Sequence, residues 1–420
     1  MRLFLPAWLS IAAGTGLLLI GYQKFIAAPQ PNLTEPLLYI VERNSAPPDR
    51  FALPPQADRL SEYSSSDIPH HLLDRLPHIS VEKGENSEGN AGTIAMGSDV
   101  NQLDTNNNSD ILEFDSASNF SEGLAAVRIK DRYYFIDRTG QIVLETDEAL
   151  DGVAPFIEDR ALIRTVDLYG FLDRQGNVLV DPQYASANPF SEGRAVVRTG
   201  RAYGYLNSDG TLVIDPQYTL ATDFSEGMAA AKLTNLYGYI APDGAWVIPP
   251  QFADAWSFSE SLAVIKSGDQ WGYINSQGRV AIAAEFDGAF SFSEGRGRVR
   301  RGSQWGFIDN QGQPVIPIKY DFASDFSEGL AAVLVGSQWG YVDSSGNLAI
   351  DPQFELASDF SEGLAAVRQN GKTGFIDRTG KIVIPPQFDN VGSFREGFAW
   401  VQIGQQWRYV DRTGAFLKRQ

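Results

Sequence analysis

The sequence predicts an all-β protein made of nine tandem units of about 34 residues, and three observations support this prediction. A phrase of the type Phe-Ser-Glu-Gly recurs from Phe120 to Phe394, with constant spacing from Phe156 onward. Each copy contains short stretches of alternating apolar residues bounded by turn residues, which is typical of hairpin strands. No stretch of this region has the length and period of a helix. A fixed period of this size is typical of repeat proteins, whose units bury apolar surface against their neighbours.

The composition excludes several classes of function. The 420 residues include 52 acidic and 34 basic side chains, for a net charge of −18. A chain of this charge is repelled by nucleic acids and by anionic membrane surfaces, so we expect no nucleic-acid partner. The absence of cysteine excludes disulfides, thiolate metal sites and a cysteine nucleophile.

The N-terminal segment, residues 1–28, predicts a membrane anchor. Leu3–Tyr22 is an apolar run after Arg2, and about 20 apolar residues are enough to cross a bilayer. The alternative is a signal peptide that is cleaved near Ala28 and leaves a secreted protein. In both cases we expect the repeats to lie outside the cytoplasmic membrane.

Residues 29–110 differ in composition and predict a flexible linker. They are rich in Pro, Ser and Asn and nearly lack aromatic residues, so they bury too little apolar surface to fold. All three histidines, His70, His71 and His78, lie in this linker. They lack nearby cysteines and a regular ligand spacing, so we expect no metal site there.

Residues 111–420 form the repeat region, and each unit predicts an antiparallel meander of three strands. In the copy that begins at Phe360, strands over Leu364–Arg368 and Thr373–Asp377 flank Asn370-Gly371, which is a strong hairpin signal. A second turn leads to a third strand over Lys381–Ile384. This turn ends in glycine in all nine units, and in eight of them Asp or Asn stands three residues earlier, with Ala241 as the exception. Such residues favour a tight turn closed by a positive φ.

The middle strand carries two aromatic residues separated by one position. In three units they are Trp271 and Tyr273, Trp305 and Phe307, and Trp339 and Tyr341. Residues two apart in a strand share a face, so the rings form a column along the array. The column either belongs to the core or leaves Trp271, Trp305 and Trp339 as a surface for sugars or peptides.

The unit resembles the WG repeat of bacterial proteins. The Trp-Gly pairs at Trp271, Trp305 and Trp339 and the trailing phrase at Ile248–Phe252 carry this resemblance over residues 111–420. It implies an all-β repeat scaffold, often on exported or anchored proteins, with no shared catalytic residue.

Each unit also has a turn glutamate, and one unit is rich in arginine. Because the nine glutamates share one sequence environment, we expect them to bond backbone N–H groups or neighbouring cations rather than to act as a catalytic pair. Arg296, Arg298 and Arg300 alternate along one strand, and Arg301 follows them. They either pair with neighbouring carboxylates or bind an anionic partner.

The function predicted from these patterns is a non-catalytic binding scaffold whose partner is a protein or a cell-envelope polysaccharide. A carbohydrate hydrolase and a purely structural envelope spacer are the alternatives. The repeat region contains no histidine, cysteine or phosphate loop, so we predict no catalytic residue, cofactor or metal. For the overall shape we expect an open, twisted solenoid. A closed, propeller-like ring is the alternative, because Leu112–Phe114 matches the end of a unit and the chain stops within one.

Overall fold

The computed structural model describes residues 110–147 and 149–419, and within these residues all regular structure is β-strand. The predicted anchor, residues 1–28, and the predicted linker up to residue 109, with its three histidines, lie outside the described residues. Within the described part, no helix is long and apolar enough to span a bilayer.

The strands form nine antiparallel sheets, or blades, each following the chain as a meander. Blades 1 to 3 consist of β1 (Ser116–Ala117), β2 (Leu124–Ile129), β3 (Arg132–Asp137) and β4 (Ile142–Glu145); β5 (Gly152–Ile157), β6 (Arg160–Thr165), β7 (Leu168–Asp173) and β8 (Val178–Tyr184); and β9 (Ser186–Ala187), β10 (Arg194–Thr199), β11 (Ala202–Asn207) and β12 (Leu212–Tyr218).

Blades 4 to 6 consist of β13 (Leu220–Ala221), β14 (Ala229–Leu233), β15 (Leu236–Ile240) and β16 (Trp246–Phe252); β17 (Asp254–Ser259), β18 (Leu262–Ser267), β19 (Gln270–Asn275) and β20 (Val280–Phe286); and β21 (Gly288–Ser293), β22 (Arg296–Arg301), β23 (Gln304–Ile308) and β24 (Pro314–Tyr320).

Blades 7 to 9 consist of β25 (Phe322–Ala323), β26 (Leu330–Val335), β27 (Gln338–Asp343) and β28 (Leu348–Phe354); β29 (Leu356–Ala357), β30 (Leu364–Gln369), β31 (Lys372–Asp377) and β32 (Ile382–Phe388); and β33 (Asn390–Val391), β34 (Phe398–Ile403) and β35 (Gln406–Asp411).

The blades therefore contain the three predicted strands and one further strand that the sequence did not indicate. This first strand is only two residues long in blades 1, 3, 4, 7, 8 and 9, which is too short to show a period. It pairs with the second strand of its own blade, as Leu356 does with Arg368 in blade 8.

The two ends of the repeat region meet and complete blade 9. Phe114 and Trp407 exchange two backbone hydrogen bonds of 2.9 Å, and the Leu112 N–H donates to the Leu417 carbonyl at 3.2 Å. Phe114 thus occupies the place that Phe388 holds in the fourth strand of blade 8, where Phe388 pairs with Thr373. The open solenoid that we expected is not observed. The alternative is correct: the nine blades close into a β-propeller.

Aromatic contacts between neighbouring blades form the core. In every blade the second aromatic residue of the third strand packs against the phenylalanine that opens the turn of the next blade, with ring centroids 4.6–5.0 Å apart. The nine pairs are Phe135–Phe156, Phe171–Phe190, Tyr205–Phe224, Tyr239–Phe258, Tyr273–Phe292, Phe307–Phe326, Tyr341–Phe360, Phe375–Phe394 and Tyr409–Phe120. The last pair joins blade 9 to blade 1, so the core is continuous around the ring.

The nine turn glutamates form a second continuous ring. Each carboxylate accepts a backbone N–H from the corresponding turn of the next blade, which confirms the predicted bonding to backbone N–H groups. Glu396 closes the circle by accepting from Gly123 at 2.9 Å. All nine glutamates have a positive φ of 51–55°. A positive φ is unfavourable for a residue with a side chain, so the inter-blade bond offsets a local strain.

The glycine after the first aromatic residue of the third strand is required by the fourth strand, which bulges across it. A Cβ at Gly340 would lie 2.5 Å from the Ile350 carbonyl oxygen, and the pairing shifts register at this point. Two blades have a larger residue here, Tyr134 in blade 1 and Arg408 in blade 9. In blade 1 the fourth strand pairs in register opposite Tyr134, and in blade 9 it is made of two separate chain segments. The exceptions therefore fall where the bulge is missing.

We predict that Gly340→Ala lowers the free energy of unfolding by about 1–3 kcal/mol, because the added methyl group meets the backbone of the fourth strand. Arg408→Ala is the matched control, since blade 9 already holds a side chain at this position. We expect it to cost about 1 kcal/mol or less, chiefly the ion pair with Glu113. Urea unfolding of the full-length proteins measures both values. Equal losses for the two variants would contradict this account of the glycine.

Candidate functional site

The meander gives the propeller two different faces. The first-to-second and third-to-fourth turns lie at one end of every blade, and we call this side the glutamate face because it carries the ring of turn glutamates. The second-to-third hairpins and the connections between blades lie at the other end, which we call the hairpin face. The two faces use their polar groups differently.

On the glutamate face the polar groups are bonded within the fold. In eight blades the Asp or Asn of the third-to-fourth turn accepts backbone N–H groups two and four residues later, as Asp343 does from Ser345 and Asn347. These bonds lower the pKa of the Asp343 carboxyl. In seven blades the turn serine donates to the phenylalanine carbonyl of the next blade, as Ser327 does to Phe360 at 2.8 Å.

One polar cavity of about 300 Å³ opens beside these turns in blades 7 to 9, lined by Ser327, Glu328, Ser361 and Arg395 among others. Its carboxylate and hydroxyls follow the same rule, because Glu328 accepts from the Gly363 N–H and both serines donate to phenylalanine carbonyls, whereas the buried Nε of Arg395 has no hydrogen-bond partner in the described part of the chain. Among the described residues, no cluster of acidic or histidine side chains has the arrangement of a metal site.

The hairpin face carries a belt of cations over aromatic rings. A residue near the end of the second strand lies directly opposite the first aromatic residue of the third strand, as Lys232 does opposite Tyr237. The cation lies over the ring in four blades, in the pairs Arg128–Tyr133 at 5.8 Å, Lys232–Tyr237 at 5.0 Å, Lys266–Trp271 at 5.7 Å and Arg300–Trp305 at 5.9 Å. Contacts of this kind stabilise by about 0.5–1 kcal/mol at exposed sites.

The three tryptophans that we proposed as a surface lie in a chain of rings through blades 5 to 7. Consecutive centroids are 5.0–6.0 Å apart in the order Trp271, Trp256, Phe290, Trp305, Phe322, Trp339. Trp339 is 8% exposed, whereas Trp271 and Trp305 are partly exposed. The chain of rings thus packs blade against blade, and all of its members except Trp339 remain partly exposed.

Arg298, the middle of the three alternating arginines, is buried and 4% exposed. Its guanidinium donates to the Asp325 carboxylate at 2.8 Å and to the Ala323 carbonyl at 3.0 Å in blade 7. It also lies 3.8 Å from the centroid of the Phe290 ring. A charge removed from water needs such a partner, so Arg298 joins blades 6 and 7 and is not available to a ligand.

The other arginines of blade 6 remain near the surface, and most of their donors have partners. Arg301 forms an ion pair with Glu285 at 2.6 Å, and Arg300 donates to the Asp287 carbonyl at 2.8 Å. Arg296 donates to the Ser344 and Gly295 carbonyls on the glutamate face, away from Arg300 and Arg301. The strand alternation is as predicted, but the four side chains do not form one open cluster. Anion binding by Arg296, Arg300 and Arg301 remains a prediction.

The sequence reading missed one recurring position, five residues before the turn phenylalanine. Six blades have an acid there, and in five of these its carboxylate accepts an N–H of the neighbouring hairpin, as Asp287 does from Gly302 at 2.6 Å. In blade 2 the acid is Asp151, which instead bonds Arg164 at 2.7 Å. Blades 3, 4 and 5 have Ala185, Thr219 and Ala253. Aligning the units would have revealed this absence.

Burial raises the pKa of Tyr237 on this face to about 12, with a smaller contribution from the charge of Asp254. Its hydroxyl therefore stays protonated at neutral pH and the ring remains an uncharged surface for Lys232.

Comparison with known proteins gives a family and a fold. The family model for the WG containing repeat matches residues 112–133, 169–201, 203–237, 237–271, 271–304, 305–338, 339–372 and 374–407. No curated protein matches the chain by sequence.

Among solved structures, a eukaryotic initiation factor is similar with a TM-score of 0.53 and 11% identity, over 70% of this chain and 95% of that one. The WD40 domain of SCAP from fission yeast has a TM-score of 0.37 and 9% identity, over 73% and 96% of the two chains. The dihydro-heme d1 dehydrogenase NirN in complex with DHE has a TM-score of 0.39 and 13% identity, over 74% and 73%. At these identities the likeness concerns the fold alone, and only the first match is strong enough to support it.

The sequence match spans more than half of the chain, and matched units such as 271–304 run from the third strand of one blade to the hairpin of the next, so this protein belongs to the WG containing repeat family.

Proposed function

We propose that the protein is a non-catalytic binding scaffold that uses the hairpin face of its propeller to hold a partner outside the cytoplasmic membrane. The observation that carries this proposal is the difference between the two faces. On the glutamate face the turn glutamates and turn serines are bonded within the ring, while the hairpin face exposes cations that lie over partly exposed aromatic rings. Exposed groups of this mixed kind are typical of recognition surfaces.

A hydrolase has no specific observation in its favour. Paired carboxylates act as acid and base when their environments differ. The nine turn glutamates instead share one arrangement, each accepting a backbone N–H from the next blade. A rigid ring without a catalytic pair suits a module that presents a surface.

The proposed location rests on the apolar run Leu3–Tyr22, preceded by Arg2, and on the polar segment that follows it. Such a segment holds the propeller at the membrane or, if it is cleaved, releases it. The partner is accordingly a protein or a polymer of the cell envelope.

Binding without turnover is the first expected result. The full-length protein is immobilised and exposed to a panel of envelope proteins and cell-wall glycans. We expect it to bind at least one of them saturably and to leave that partner chemically unchanged. Arg300→Ser/Arg301→Ser tests the predicted arginines of the hairpin face in the same panel, with Arg138→Ser/Arg378→Ser as a control that removes the same charge from the glutamate face. Mass spectrometry of the recovered partner detects any cleavage, and sustained product release would contradict the proposal.

The location can be tested with a single thiol, because the chain has no cysteine. Ser303 is exposed in the hairpin of blade 6, so Ser303→Cys adds one reactive group without touching the core. We expect a membrane-impermeant maleimide to label it in cells whose cytoplasmic membrane is intact. A cytoplasmic protein with an added cysteine is the control and should stay unlabelled. If the Ser303→Cys variant is labelled only after the cells are lysed, the external location is contradicted.

A further inference from the structure

Blades 3 to 5 differ from the rest of the hairpin face in lacking the acid five residues before the turn phenylalanine. Ala185, Thr219 and Ala253 occupy the position at which the other six blades carry Asp or Glu. The nearby cations keep their places, because Arg198, Lys232 and Lys266 lie opposite the first aromatic residue of the third strand in these blades. These three blades therefore lack the carboxylate that bonds the hairpin elsewhere, and only in blade 5 does another acid, Asp254, lie opposite the cation.

The result is a local excess of positive charge on an acidic protein. Arg201, in the hairpin of blade 3, adds a fourth and exposed cation. Among the described residues, none of the four forms an ion pair with a carboxylate. The acids beside these hairpins are Asp254, Asp269 and Glu285, and Glu285 forms an ion pair with Arg301 of blade 6, so the four cations exceed the other two acids. Elsewhere the chain has a net charge of the opposite sign.

Exposed leucines lie among these cations. Leu233 and Leu236 flank the hairpin of blade 4 and pair directly across it, with 39% and 41% of their surface exposed. Leu220 is 42% exposed and lies opposite Lys232 in the neighbouring strand. We call these three leucines, together with Arg198, Arg201, Lys232 and Lys266, the basic patch. The patch combines positive charge with apolar surface.

We infer that the basic patch is a docking surface for an acidic protein segment in which Asp or Glu alternates with apolar side chains. Opposite charge accelerates association and fixes the register of such a segment, while the leucines bury its apolar residues. A polysaccharide fits less well, because Lys232 and Lys266 lie over the faces of Tyr237 and Trp271. Sugars stack on open ring faces, and here the cations cover them. This inference rests on the proposed function and specifies where and what the scaffold binds.

The test restores the missing acids. In the variant Ala185→Asp/Thr219→Asp/Ala253→Asp, each new carboxylate takes the place that Asp287 has in blade 6, where it accepts the Gly302 N–H. We therefore expect the variant to fold with a melting temperature equal to or above that of the native protein. The control, Gln175→Glu/Gln277→Glu/Gln311→Glu, adds the same charge at exposed turns of the glutamate face.

The probe is a random peptide library displayed on phage and selected against the full-length native protein. We expect the selected peptides to combine acidic with apolar residues and to bind more weakly as salt increases. A selected peptide should keep its affinity for the control and lose at least about tenfold, or 1.4 kcal/mol, on the acid-restored variant. If that variant fails to fold, Lys232→Gln/Lys266→Gln should produce the same loss.

Selected peptides that are neutral or basic, or that bind the acid-restored variant as well as the native protein, would overturn the inference. So would binding of oligogalacturonate in place of the acidic peptides. The proposed function has a separate test, since a natural partner that still binds the acid-restored variant would leave the scaffold role intact and place its site elsewhere on the ring.

Discussion

The whole propeller depends on the aromatic contact between one blade and the next. A blade of about 34 residues has too little interior to fold alone, because small units bury only a modest share of their surface. The ring in the third strand and the turn phenylalanine of the next blade supply the missing core, with both rings buried in pairs such as Tyr341 and Phe360. Tyrosine adds a hydrogen bond to this contact, as when the Tyr341 hydroxyl donates to the Ser358 carbonyl at 2.7 Å.

Closure follows from this dependence, since an open array would leave one apolar face uncovered at each end. The pair Tyr409–Phe120 covers both, and the ring of glutamates closes at the same junction through Glu396 and Gly123. The sequence irregularities also gather there. Arg408 replaces the usual glycine where the fourth strand is split, and its guanidinium pairs with Glu113 of the incoming segment. Departures from the repeat therefore mark the seam between the chain ends.

Much of the fold could be predicted from the sequence, because turns and alternation are local properties. The Asx-Gly turns, the strands on either side of them and the role of the glutamates were all visible in one unit. The short first strands were not, since two residues such as Leu356–Ala357 have no period. Closure could be suspected from Leu112–Phe114 but not established, because Phe114 and Trp407 meet only through the tertiary fold.

The candidate site was less predictable. Arg298 has the alternation of a surface residue, yet its strand position is occupied by Ala332 in blade 7 and Val264 in blade 5, which are both buried between blades. The basic patch arises because blades 3 to 5 lack the acid that the other six blades carry five residues before the turn phenylalanine. A missing acid leaves no pattern within a single unit. Its effect on the local charge appears only when the hairpins of neighbouring blades lie side by side.

The most direct measurement of the closed ring is a disulfide across the seam. Phe114 and Trp407 exchange both backbone bonds, and their neighbours Glu113 and Arg408 form an ion pair across the seam, so we expect thiols at these two positions to come within disulfide distance in the closed ring. In the otherwise cysteine-free chain, Glu113→Cys/Arg408→Cys should oxidise almost completely to a monomeric, cross-linked form under native conditions. Glu113→Cys/Gln304→Cys, which places the second thiol in the exposed hairpin of blade 6, should not. Equal cross-linking in the two variants, or none in the first, would contradict the closed propeller.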